Sequence, residues 1–348
     1  MKPIIAIPAI LALVYRAWSR KSLTPLGLVA AGLTASAHAV HPWSVPFALL
    51  GVFYLGGTKV TKVKHDVKAR LTLSASGSDG GEGQRTHVQV LANSIVASVL
   101  ALLHTRALAV SGLDTGCFSN GGHAADLLVV GIVANYAAVA ADTFSSELGI
   151  LSKSKPRLIT SPTLRVVPPG TNGGVTGTGL LAGALGAFTV AATSAWLLPF
   201  CSSGDASGLD LISRAQWILG FTAWGTLGSV LDSFLGGMLQ ASVVDKRTGK
   251  VVEGTGGKKV LITPSGVAGT SASSSVSTAT ETETTRHRKS AAEDANSVDS
   301  RQESRRVESG WDILDNNAVN LLMAAIMSVG GMGVASWVWG LSVGDIRL

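Results

Sequence analysis

The stretch AADLLVVGIVANYAAVAADTFSSELG, residues 124–149, decides how the chain is read. From 124 to 141 it is a continuous apolar run rich in Ala and Val, with no apolar–polar alternation. Such a run suits a helix whose backbone satisfies itself in lipid, not a barrel strand. A bilayer core needs about 20 such residues in a helix. At residue 142 the character changes, and Asp142, Ser145, Ser146 and Glu147 follow within six positions.

Working outward, comparable stretches fall at roughly 3–18, 23–40, 43–58, 89–105, 174–199, 211–239 and 318–341. The expectation is an all-α, polytopic transmembrane helical bundle of about 7–8 spans. The first stretch has only Lys2 before it and lacks a small-residue cleavage site, so it reads as a retained span. Gly179, Ala182, Gly183 and Gly186 give the sixth stretch a small-residue face for close helix packing.

Composition agrees. Only 14% of the 348 residues are charged, against about a quarter in soluble domains, and 46% are hydrophobic. These values exclude a soluble enzyme and a wholly disordered chain. Two cysteines, Cys117 and Cys201, exclude a disulfide framework and allow at most one bridge between two loops on the same side.

The net charge of +6 is explained by position. Of the 28 Lys and Arg, 24 fall in the loops after the first, third, fifth and seventh stretches. The intervening loops are nearly free of them. This asymmetry orients the bundle with the four basic loops in the cytosol, the lipid bilayer being its partner. No basic patch interleaved with aromatics is present, so no nucleic acid is expected. The bundle would comprise 1–245 and 310–348. Residues 246–309, rich in Ser and Thr, would form a disordered cytosolic loop between the last two spans.

Five polar clusters remain, all opening on that cytosolic side. Gln89 and Asn93 lie four apart at the start of the fourth span, where bonds between helices are the plainer reading. Asp142 and Glu147 leave the fifth; on a helix Asp142 shares a face with Ser145 and Ser146, and Glu147 needs a bend to converge. VVPPGTNGGVT, 166–176, opens the sixth, and Gly170, Gly173 and Gly174 permit a turn whose amides would cradle an anion, with Thr171 and Asn172 beside them. Asp232 falls within the seventh, where an unpaired acid is costly. Asn316 and Asn320 begin the eighth, after Asp315, a candidate helix cap. Carboxylates, amides and nearby Lys155, Arg157 and Arg165 suit phosphate and a divalent cation.

In order and composition, ADTFSSELG, VPPGTNGGVT, GSVLDSFLGGMLQ and LDNNAVN resemble the integral-membrane family that includes eukaryotic transmembrane protein 19 and plant phytyl-phosphate kinase. The likeness covers most of 1–245 and 310–341. It implies a nucleotide-dependent kinase for a prenyl or other lipid phosphate in the endoplasmic reticulum or another endomembrane. Asp142, Glu147 and Asp232 would be catalytic and hold Mg2+, and a nucleoside triphosphate would be the donor. Gln89, Asn93, Arg157, Arg165, the 170–174 turn, Asn316 and Asn320 would bind substrate and phosphate. A transporter of a phosphate-bearing or ionic solute and a non-catalytic membrane protein are the alternatives.

Overall fold

The computed structural model describes residues 1–75, 78, 80, 83–111, 117–201, 207–260 and 305–348. Every one of the eight apolar stretches is a helix: α1 (Pro3–Ser19), α2 (Pro25–Ala39), α3 (Val45–Lys62), α5 (His87–Ser111), α6 (Asp126–Gly149), α7 (Gly177–Leu197), α8 (Ser207–Leu239) and α9 (Asn316–Trp339). A five-residue helix, α4 (His65–Ala69), follows α3. Five of these, α5 to α9, are long and apolar enough to cross a membrane, and α1 is a shorter apolar helix.

Helix starts follow from local chemistry. Thr24 and Thr176 accept the amides of Gly27 and Gly179, and Asp315 accepts that of Ala318, so each satisfies a donor with no partner inside its helix. Pro25 adds a fixed φ in the first turn of α2.

Helix α6 is the axis. Residues 126–141 are buried without interruption, and α3, α5, α7, α8 and α9 pack around it. A helix buried on all sides must be approached closely by its neighbours, and glycine permits that. A Cβ at Gly225 of α8 would stand 2.7 Å from Ala137 O, and one at Gly186 of α7 would stand 2.6 Å from Ala140 O. At Gly179 and Gly183 the same atom would meet Ser145 O at 3.2 Å and Ala141 O at 3.1 Å. The small-residue face expected on the sixth stretch is the α6–α7 contact.

At the end carrying the four basic loops, hereafter the basic face, short strands complete the fold. β1 (Leu73–Ser74), β5 (Val251–Glu253), β4 (Ser242–Asp245) and β6 (Arg305–Ser309) form one sheet in that order, with β1 parallel to β5 and the other pairs antiparallel. β2 (Arg157–Leu158) pairs with β3 (Gly174–Val175). The sheet narrows the expectation of a disordered 246–309: its ends are β5 and β6, tied through β4 by ladder bonds, whereas 261–304 lies outside the described residues. Strands of two to five residues leave too little alternation to be legible beside helical runs.

At the opposite end Cys117 and Cys201 are disulfide-bonded. The backbone pairs there too, Cys201 N donating to Phe118 O at 2.9 Å.

Close packing on α6 gives a stability contrast within one helix. Gly225→Ala should destabilise by about 1–3 kcal/mol through overpacking. Gly220→Ala, whose added carbon meets nothing within 4 Å, should be neutral or slightly stabilising. Thermal unfolding of the two variants in detergent or nanodiscs checks this; equal melting temperatures would contradict it.

Candidate functional site

A cavity of about 470 Å3 opens at the basic face. Its position follows from the helix directions. α5, α7 and α9 begin there, and α6 and α8 end there. The first turns of α5, α7 and α9 contribute Gln89, Gly179 and Asn316 to the lining, so three positive dipole ends border one space. Such an arrangement favours an anion.

Asp142 and Asp232 stand at matching depth. Each lies seven residues before the last residue of its helix, about 10 Å at 1.5 Å per residue. The two carboxyl groups lie within side-chain hydrogen-bonding reach of each other. With its amide oriented to satisfy its neighbours, Asn320 donates to Asp232 Oδ1 (3.2 Å) and to Asn316 O (3.1 Å). Two adjacent, partly buried carboxyls either share a proton, so that only one is ionised, or are both ionised with a cation between them.

Glu147 departs from the expected role. α6 runs straight through to Gly149, so five residues beyond Asp142 is about 140° around the helix. Glu147 borders the cavity from another side. There it is ion-paired with Lys68 and accepts Thr61 Oγ1 at 2.7 Å. Lys68 also donates to Val60 O (3.2 Å) and Thr61 O (2.6 Å), and Arg85 Nη2 donates to Thr61 Oγ1 (3.0 Å). Among the described residues no three His, Cys, Asp or Glu side chains assemble as a metal-binding group, and Glu147 is engaged by Lys68 and Thr61. The donors that remain fit magnesium, a hard cation commonly held by one or two carboxylates together with phosphate oxygens and water.

The glycine turn is placed as expected but works differently. Gly170 and Gly173 have φ of +85° and +78°. A Cβ on Gly173 would also stand 2.8 Å from Gly237 Cα and 2.9 Å from Ser233 O, so this residue lets the turn lie directly on α8. Gly174 is needed for space: a Cβ there would be 2.9 Å from Thr171 O. As an anion cradle the turn is mostly spent. Thr171 N donates to Pro168 O, Asn172 N to Ser242 Oγ and Gly174 N to Thr171 O. Thr171 Oγ1 donates to Pro168 O at 2.7 Å. Thr171 and Asn172 line the cavity as part of a rigid wall.

Gln89 and Asn93 also line it. Gln89 Oε1 caps α5 by accepting Thr86 N (2.8 Å), and Asn93 Nδ2 donates to Gln89 O (3.0 Å). Bonding between helices is present as well: Asn135 Nδ2 of α6 donates to Asn93 O at 3.0 Å. Arg157 and Arg165 are not among the lining residues. The segment between β2 and β3 folds back on itself, so Arg157 Nη1 donates to Leu164 O and Arg165 pairs with Glu308 at 2.6 Å. Lys155 does border the cavity, with Lys153, Lys68 and Arg85.

Reading from sequence missed Lys68, Arg85 and Thr61. The two cations were counted only as orienting charge.

The Integral membrane protein DUF92 family matches residues 8–328. The chain belongs to this family. Among curated proteins, Protein PGR of Arabidopsis thaliana is 38% identical over 240 residues, 68% of this chain and 79% of that one. Uncharacterized membrane protein MJ0933 of Methanocaldococcus jannaschii is 33% identical over 55% of this chain and 64% of its own length. Protein VTE6, chloroplastic, of Arabidopsis thaliana is 29% identical over half of this chain and 47% of its own length. No solved structure matches the chain significantly. It is a multi-pass integral membrane protein.

The Lys68–Glu147 pair is largely buried, at 9% and 14% side-chain exposure. Lys68→Met should therefore destabilise by about 3 kcal/mol, because it strands a carboxylate. Glu147→Gln added to Lys68→Met should recover most of that loss. Unfolding of the single and double variants measures both; a double variant as unstable as Lys68→Met would refute the pairing.

Proposed function

We propose that the protein is a nucleotide-dependent phosphotransferase acting on a lipid phosphate at the cytosolic face of an endomembrane. The observation that carries this is the Asp142–Asp232 carboxyl pair in a cavity ringed by helix N-termini and lysine or arginine side chains. An acid pair alone would repel a phosphate. An acid pair with a divalent cation, facing positive groups, is the recurrent inventory of phosphoryl transfer.

In this reading Asp142 and Asp232 hold Mg2+, which when bound neutralises charge on the transferring phosphoryl group. Asn320 fixes the Asp232 carboxyl through its amide. Lys155, Lys153 and Arg85 bind phosphate oxygens, and the Thr171–Asn172 wall and the first turn of α7 set their position. Lys68 and Glu147 brace α4 against α6. The disulfide at the opposite face suits an oxidising lumen there, consistent with an endomembrane. The motif likeness to the family of plant phytyl-phosphate kinase supports a prenyl phosphate as acceptor.

One observation favours a second reading, solute transport. Buried polar groups continue beyond the cavity: Asn135 on Asn93 O, Tyr136 Oη on His38 Nε2 (2.7 Å), and His41 Nε2 on His104 Nδ1 (2.7 Å) near the far end. A conducting path would need them, whereas phosphoryl transfer at the basic face would not.

Incubation of purified protein with prenyl phosphates, Mg2+ and labelled nucleoside triphosphate should yield diphosphate. Asp142→Asn or Asp232→Asn should lower turnover by about 100-fold or more, and Tyr136→Phe should leave it intact. No diphosphate at any chain length, with a plant relative active alongside, would overturn the proposal. Uptake of labelled phosphate into proteoliposomes that Tyr136→Phe abolishes would establish the second reading.

A further inference from the structure

We infer that the exposed apolar edge formed by Trp311 and Ile313, with Val307 and Leu164 beside them, inserts into the anionic headgroup layer of the leaflet at the basic face. The sheet of β1, β5, β4 and β6 then lies on the bilayer. This goes beyond the catalytic reading and does not rest on it.

Trp311 N donates to Met238 O (2.8 Å), and the amides of Ile313 and Leu314 donate to Leu239 O (3.1 and 2.9 Å). Residues 311–314 therefore run alongside the last turn of α8, a membrane-spanning helix whose outer face exposes Phe234 and Met238. Trp311 is 73% exposed and Ile313 58%, level with the last turn of that helix. The exposed apolar side chains of this segment are thus carried next to the exposed Phe234 and Met238 of α8.

Placement is fixed, not incidental. Gly310 has φ +77°, and a Cβ on it would fall 2.1 Å from Gln240 O. Only glycine lets the chain cross the end of α8 so closely and deliver Trp311 to that height. On the other flank, Arg165 bonds both the carboxylate and the carbonyl of Glu308. That joins the 157–167 loop, which carries exposed Leu164, to β6, which carries exposed Val307.

Charge selects the occupant. Arg165 and Arg306 share the single carboxylate of Glu308, while Lys259 bonds Asp312 O and Ile313 O and pairs with the Asp312 carboxylate at 3.2 Å, so three cations face two carboxylates. An indole and an isoleucine framed by a cationic surplus match the interfacial layer of an anionic leaflet, where tryptophan is enriched and each nearby cation adds attraction. A soluble protein partner would have to compete with lipid already in contact with the adjoining face of α8.

The two native cysteines are disulfide-bonded, so a cysteine introduced at the edge can be labelled alone. Full-length Trp311→Cys and Ile313→Cys, carrying a bimane label, are placed in nanodiscs containing phosphatidylserine. The expected result is strong quenching by headgroup-region nitroxide lipids and loss of most of the iodide quenching seen for a label in Thr248→Cys. Arg306→Glu should weaken the lipid quenching. Iodide quenching at 311 and 313 equal to that at 248, without lipid quenching, would overturn the inference. Lipid quenching that is the same in pure phosphatidylcholine would overturn its anionic part.

Discussion

Two carboxyl groups held against each other inside a helical bundle impose the constraint on which this structure turns. Asp142 and Asp232 belong to α6 and α8, whose close approach is permitted by glycine at 225 and 228. The helices that make the bundle compact thus also bring the acids together. Such a pair persists only with a proton or a cation between the oxygens. The surroundings favour both a cation and an anion bound to it: carboxylates at the centre, three helix N-termini and several lysine and arginine side chains at the rim.

Around that pair, the other elements serve position. The glycine turn lies on α8 and closes one wall. The Lys68–Glu147 pair ties the short α4 to α6, so that the loop between α3 and α5 contributes to the cavity and does not trail away from it. The sheet joins the end of α8 to the start of α9, and Glu253 on β5 reaches the lining. These are low-cost devices, each a single ion pair or a few ladder bonds, and they converge because both ends of the long loop are anchored in the same sheet.

Much of the architecture was legible in the residues. Long apolar runs report helices in lipid whatever their neighbours do, so all eight were visible, and the small-residue face of α7 found its partner. Asp142, Asp232 and Asn320 stood out because polar groups at that depth are costly. What stayed hidden depends on angle and on folding back. Glu147 adjoins Asp142 in the chain but points to another wall, since an uninterrupted helix rotates it away. Arg157 and Arg165 adjoin the glycine turn in sequence, yet their loop folds outward. Lys68 and Arg85 looked like orienting charge because the same side chains do both jobs.

The central claim is that the Asp142–Asp232 pair binds a divalent cation. Mn2+ titration of the purified protein, followed by electron paramagnetic resonance with a non-hydrolysable nucleoside triphosphate present, tests it most directly. The account predicts a bound Mn2+ whose affinity falls at least about tenfold, or 1.4 kcal/mol, in Asp142→Asn and in Asp232→Asn and changes little in Glu147→Gln. Equal Mn2+ affinity in wild type, Asp142→Asn and Asp232→Asn would contradict it.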